Sequence, residues 1–213
     1  MCNLEKKEIN QPISEGIIKI RSVACEEEFS SLFLEKEFSG YPCYKPVVSG
    51  KNELLKAFRR SDTRLTLAIK DETDIIGFGL LEPPFPDERW ARLRKGLMLE
   101  VSVFEVSRKW RSMGISTGIL KHLVNSGKWE DSILYMVGYS WTWDLDGKGL
   151  DPMSYRDMLI NIFSRQGFRR FQTNEPNVML RPENLFMARL GESVPEDLKN
   201  RFKLLRFDLD RLQ

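Results

Sequence analysis

The stretch from Leu97 to Val124, LMLEVSVFEVSRKWRSMGISTGILKHLV, restricts the fold more than any other part of the chain. Residues Leu97 to Val106 are almost all apolar or β-branched, and the run is too short for a free helix, so it predicts a buried strand. A polar turn follows over Ser107 to Met113, and Gly114 closes it. From Ile115 the apolar residues fall at Ile115, Ile119, Leu120, Leu123 and Val124, with Ser116 and Thr117 in the first turn, which is the spacing of one helical face. Strand, tight turn and helix in this order leave the first N–H groups of the helix without partners and aim the positive end of its dipole at the loop. An anion is expected there, and phosphate is the obvious one. The turn has no Lys after the Gly and no five-residue Gly-to-Gly spacing, which excludes a nucleoside-triphosphate P-loop.

The same strand carries Glu100, six residues before Val106. A carboxylate among Val, Leu and Phe is costly to bury unless it is solvated or used. Partial burial would raise its pKa towards neutrality, as a base acting at pH 7 requires. Glu105 is the competing carboxylate. On simple alternation Glu100 shares a face with Ser102, Phe104 and Val106, while Glu105 points the other way. The plain alternative for Glu100 is an ion-pair partner on an edge.

Composition limits the remaining classes. The chain has 213 residues, enough for a proper core. Its formal net charge is +2, with acidic and basic residues interspersed; this argues against an electrostatic nucleic-acid binder, although Lys199 to Arg211 is locally basic. Cys2, Cys25 and Cys43 show no CxxC pattern, and the one histidine, His122, cannot build a metal site with them. No metal is therefore expected, and reduced thiols in a cytosol are the simplest account. Met1 to Gln11 is charged and no apolar run approaches membrane-spanning length, so a soluble cytoplasmic protein without a membrane partner is expected.

Read in order, residues 1–15 form a flexible leader and 16–213 a single domain. Gly16 to Val23 predicts a strand and Ala24 to Phe38 an acidic amphipathic helix with Phe29, Leu32, Phe33 and Phe38 on its core face. Tyr41 to Gly50 is a loop, Lys51 to Arg60 a short helix started by Ser49 or Asn52, and Leu65–Lys70 and Asp74–Leu81 are strands. Three prolines precede a brief helix at Asp87 to Leu93. Beyond the central strand and helix, Ser132 to Tyr139 predicts a strand entering the Trp-rich segment Ser140 to Gly147. Met153 to Gln166 reads as a helix, Phe168–Thr173 and Leu185–Leu190 as strands, and Pro195–Phe207 as a last helix. Met136, Met158, Met179 and Met187 are taken as core, and His122 as structural or exposed. The order of elements predicts an α/β fold with a mixed sheet.

The spacing Arg111-Ser-Met-Gly114-Ile-Ser116 resembles the Gln/Arg-x-x-Gly-x-Gly/Ala signature of the Gcn5-related N-acetyltransferases. Ser116 replaces the last Gly or Ala; it is small, and its hydroxyl can donate to phosphate. The resemblance implies a mixed, mostly antiparallel sheet with helices on both faces, and acetyl-CoA as co-substrate. Phe104, Glu105 and Val106 would lie along the pantetheine arm, and Arg111, Ser112, Met113, Gly114, Ile115, Ser116 and Thr117 would hold the diphosphate. Glu100 falls where several protein-lysine acetyltransferases of this superfamily carry the general base. A bulge in this strand, also implied, would alter its parity.

A closer likeness covers about residues 60–207. Pro86-Asp-Glu-Arg-Trp90, Tyr139-Ser-Trp-Thr-Trp-Asp-Leu145, Tyr155-Arg156, Asn174-Glu-Pro176 and Asn184-Leu-Phe-Met-Ala-Arg189 are similar to the acetoin-utilisation AcuA family. That likeness implies acetylation, and hence inactivation, of the active-site lysine of acetyl-CoA synthetase by a monomer or homodimer. The superfamily's general-acid Tyr is replaced by Phe163, so Tyr139 is the candidate acid, with Tyr155 or water as substitutes. Trp141 and Trp143, two apart on a strand, would put both rings on one side and shape the lysine or pantetheine channel; core filling is the plain alternative. A small-amine acetyltransferase and a non-catalytic acyl-CoA sensor remain as other readings.

Overall fold

The computed structural model describes residues 8–13, 16–23, 25–39, 41, 48, 50–125 and 129–210. The chain divides into two compact units, Met1–Leu81 with Ser102–Gly127, and Glu82–Val101 with Lys128–Gln213. The rest of the expected leader and of the Tyr41–Gly50 loop, with Cys2, Cys43 and Ser49, lies outside the described residues.

In the first unit the strands are β1 (Glu8–Ile13), β2 (Gly16–Ser22), β3 (Phe33–Leu34), β4 (Arg64–Lys70), β5 (Asp74–Glu82) and the second half of β6 (Met98–Val106), and the helices are α1 (Glu26–Ser30), α2 (Lys51–Phe58) and α3 (Ile115–Asn125). β1, β2, β4 and β5 follow one another as antiparallel neighbours. β1 corrects the expected leader: Glu8 to Ile13 are strand, paired from Glu8↔Arg21 to Ile13↔Gly16. The single helix expected over Ala24–Phe38 is also corrected. The chain makes five residues of α1, then β3 pairs parallel with β5, then a 3-10 turn covers Lys36–Ser39. Phe33 N–H donates to Thr73 O at 2.8 Å and Glu35 N–H to Ile75 O at 3.1 Å. Those long-range bonds override a periodicity that was helical only in its apolar spacing. Phe29, Leu32 and Phe38 still reach the core, with Leu54, Leu67, Ile75 and Phe78, whereas Phe33 is exposed.

Helix α3 buries Ile115, Ile119, Leu120, Leu123 and Val124, the face its spacing predicts. It lies close over β5 because Gly77 and Gly79 offer no side chains; a Cβ on Gly79 would stand 2.6 Å from Leu123 Cδ1 and 2.9 Å from Ile119 Cγ2. His122 is buried and its Nε2 lies 3.0 Å from Ser22 Oγ, a structural role. Among the described pairings of this unit, the register shift falls between Ala68 and Ile69.

The second unit contains the first half of β6, then β7 (Ile133–Gly138), α4 (Pro152–Ser164), β8 (Arg169–Arg170), α5 (Pro176–Met179), β9 (Leu185–Leu190) and α6 (Glu196–Leu205). β6 pairs parallel with β7 from Met98↔Ile133 to Glu100↔Tyr135, and β7 and β8 both pair antiparallel with β9. Its core joins Trp90, Leu97, Tyr135, Phe186, Leu198 and Phe202, with Trp90 stacked on Phe186 at 4.6 Å. The strand expected over Phe168–Thr173 shortens to two residues. Thr173 Oγ1 and Asn174 N–H both donate to Arg206 O, at 2.6 and 3.1 Å, and draw the chain off towards the end of α6. Asp151 caps α4 by accepting from Met153 and Ser154 N–H, with Pro152 at the first helical position. Met179, expected in the core, is 68% exposed on the short α5.

Gly191 is the tightest point of this unit. A Cβ there would stand 2.3 Å from Glu130 O and 2.4 Å from Trp129 O, both backbone atoms that cannot swing aside. Gly191→Ala is expected to cost about 1–3 kcal/mol of stability, as overpacking does, read as a lower denaturation midpoint; an unchanged midpoint would refute the close approach.

Candidate active site

The first unit holds the turn expected to bind an anion. β6 ends at Val106, a 3-10 turn runs over Arg108–Trp110, and α3 starts at Ile115. Ser112 and Gly114 have φ of +68° and +77°, the left-handed backbone that turns successive amides towards one concavity. Gly118 N–H bonds to Gly114 O at 3.0 Å, which leaves the amides of Ile115, Ser116 and Thr117 ahead of the first intrahelical donor. The first turn of α3 holds no acidic residue to repel an anion.

Two parts of this turn differ from the sequence reading. The amide of Arg111, expected among the phosphate donors, already donates to Arg108 O at 3.2 Å. Its guanidinium folds back, Nε to Val106 O at 2.8 Å and a terminal nitrogen to Glu105 at 3.2 Å. Arg111 therefore braces the turn, and Glu105 is its partner. Phe104 is half-buried beside Glu105, and Val106 is buried.

The turn is also clamped by residues that its own sequence does not announce. Ser107 Oγ donates to Glu37, Lys109 N–H donates to Glu37 at 3.2 Å, and Trp110 Nε1 donates to Glu35 at 3.3 Å. Burial alone would raise the Glu37 carboxyl, but the hydrogen bonds from Ser107, Lys109 and Tyr41 outweigh it and hold the group below its ordinary value. From β1, Gln11 Nε2 donates to Met113 O. The acidic run Glu35–Glu37 could have been read as a helix-terminus clamp only with the parallel pairing of β3 in hand.

The second unit holds the titratable groups. Glu100 sits opposite Tyr135 in the β6–β7 ladder and accepts a hydrogen bond from its hydroxyl at 3.3 Å. Tyr135, Val137 and Tyr139 share one face of the strand leaving this ladder. Tyr139, the candidate acid, is half-buried, and burial first, then the Glu175 charge, pushes its phenol up to about 12. Its ring lies flat on Trp141 at 4.9 Å.

The Trp segment is not a strand. Ser140–Thr142 is a 3-10 turn because Ser140 N–H is taken by Asn184 Oδ1 at 2.8 Å and Thr142 N–H bonds back to Tyr139 O. Trp141 and Trp143 consequently part company: Trp141 is 47% exposed under Arg181, while Trp143 stacks on Tyr155 at 5.2 Å. The sequence reading did not single out Tyr135, whose lone hydroxyl among Leu, Met and Val was the available signal for its bond to Glu100.

Among the described residues no group of three His, Cys, Asp or Glu could hold a metal ion, and no helix is long and apolar enough to cross a membrane. No family model matches the chain. It is 25% identical over 192 residues to the acetoin utilization protein AcuA of Bacillus subtilis, covering 90% of each. It is 27% identical over 164 residues to AcuA of Bacillus licheniformis, covering 77% of this chain and 78% of that one. A solved acetoin utilization protein from Exiguobacterium sibiricum superposes with a TM-score of 0.86 at 24% identity, over 99% of each chain. The chain is therefore similar in sequence to the acetoin utilization proteins AcuA and shares the fold of the solved one, the mixed α/β fold expected of a Gcn5-related N-acetyltransferase.

Proposed function

We propose that this protein transfers the acetyl group of acetyl-CoA to the ε-amine of a protein lysine, the active-site lysine of acetyl-CoA synthetase, and so inactivates that enzyme in the cytoplasm. The observation that carries the reading is the placement of two devices on one strand. Glu100, hydrogen-bonded by Tyr135, lies six residues before Val106 in the sequence of β6. Beyond Val106 come the left-handed turn and the open amides of α3.

The amides of Ile115, Ser116 and Thr117, with the Ser116 hydroxyl, would donate to the diphosphate. Main-chain groups of Phe104 and Val106 would pair with the pantetheine arm as an added strand. The acceptor lysine arrives as an ammonium ion and must lose a proton before it attacks. Glu100 takes that proton directly or through water. The amine then bonds to the thioester carbonyl carbon; as the tetrahedral adduct collapses, its nitrogen releases its second proton to solvent, the C–S bond breaks, and coenzyme A leaves as thiolate. Tyr139 is the proposed donor of the proton that neutralises it; at about 12 its phenol stays protonated through the neutral range. Trp141, exposed beside Tyr139, and Trp143 are the proposed walls of the acceptor channel.

The direct test is incubation with acetyl-CoA and purified acetyl-CoA synthetase, read by intact mass. Addition of one acetyl group to the active-site lysine, with loss of synthetase activity, is expected. Transfer to free polyamines or amino sugars with no transfer to any protein lysine would overturn the assignment.

A further inference from the structure

We propose that Tyr135 is a positioning residue, whose hydroxyl holds the Glu100 carboxylate for proton abstraction and sets the pH at which that carboxylate becomes a base. The proposal rests on Glu100 being the base. Tyr135 is fully buried and clamped on two sides, 5.5 Å from the Trp90 ring and 5.9 Å from Phe186. Its ring fills a core that also contains Leu97, Met98, Ile133 and Ala188. A Phe would fill that space as well, so packing accounts for the ring and leaves the oxygen unexplained. A phenol buried among such groups is costly without a partner, and the partner shown is Glu100 Oε2 at 3.3 Å.

The charge around this pair fixes which way the hydrogen bond runs. Glu82 at the end of β5 and Glu88 in the following loop act on Tyr135 together with Glu100, and Glu100 and Glu88 also act on Tyr139 along β7. Burial first, then these carboxylates, hold the Tyr135 phenol far above its ordinary value. It is therefore a donor at every working pH and never competes with Glu100 for a proton. Donation to the ionised carboxylate favours that form.

The test is Tyr135→Phe, in which only the hydroxyl is lost. With acetyl-CoA and purified acetyl-CoA synthetase, the acidic limb of the kcat/KM profile should move up by about one pH unit. kcat at pH 7 should fall about ten-fold, with KM for acetyl-CoA unchanged. A fallen kcat with an unmoved limb would overturn the proposal, because a purely structural loss does not retitrate the base. An activity-independent measurement separates this from failure of the base assignment. Infrared difference titration of the carboxylate, wild type minus Glu100→Gln, should give a midpoint that rises in the Tyr135→Phe background, and an unmoved midpoint refutes the proposal whatever the acceptor is. Glu100→Gln with wild-type transfer would refute the base assignment instead. Should Tyr135→Phe fail to fold, replacing Tyr135 by 3,5-difluorotyrosine keeps the ring and strengthens the donor; the midpoint should then move down, and no movement again refutes the proposal.

Discussion

Glu100→Gln is expected to lower acetyl transfer by about 10²–10⁴-fold, the range of a lost general base, while coenzyme A binding and thermal stability stay near wild type. The amide has the shape of the carboxylate and its oxygen can still accept the Tyr135 hydroxyl, so the core around Trp90 and Phe186 keeps its packing. It cannot accept the proton that the incoming lysine must lose. The pH dependence gives a second signature. Below the ordinary lysine pKa, near 10.4, the free-amine fraction rises about ten-fold per pH unit. The residual rate of the variant should climb with pH in that proportion, whereas the wild-type rate levels off once Glu100 is ionised. Time courses of intact mass at several pH values measure both effects, and a variant as fast as wild type near neutrality removes Glu100 from the mechanism.

Gly114→Trp carries the second large effect, on binding instead of chemistry. Gly114 has a φ of +77° and its Cβ position is 3.1 Å from Gln11 Nε2, so any side chain there meets a strained backbone and the β1 residue that steadies Met113. An indole at that point would also stand over the amides that face the diphosphate. Losing two charge-assisted hydrogen bonds of about 1.5–3 kcal/mol each corresponds to at least a 100-fold weaker Kd. Calorimetry with coenzyme A should then show little or no heat, alongside an intact melting transition. Full-strength binding by this variant would place the diphosphate elsewhere on the molecule.

The parts of the site that were legible in the sequence are local ones. The run Leu97–Val106 reads as a strand, the apolar spacing from Ile115 reads as one helical face, and Gly114 between them closes the turn, because each depends on residues within a few positions of one another. What went astray depended on partners far along the chain. Arg111 matched a phosphate-turn signature whose amides were expected to hold the diphosphate, but its amide donates to Arg108 O and its guanidinium to Val106 O and Glu105, a choice made by the way the turn folds back on its own strand. Trp141 and Trp143 were placed on one face by strand alternation, and Asn184, more than forty residues away, ended the strand before them.

The sequence by itself determined that a strand, a glycine turn and an amphipathic helix would follow one another with a carboxylate upstream, since propensity, periodicity and dipole direction act at short range. Only the tertiary structure decided what holds these pieces at work. Glu35, Glu37 and Gln11 fasten the turn, and the Tyr135 hydroxyl reaches Glu100 across the β6–β7 ladder. These are contacts between residues separated by tens of positions, and their energy is realised only after the chain has closed the loops between them, so no short window of sequence contains them.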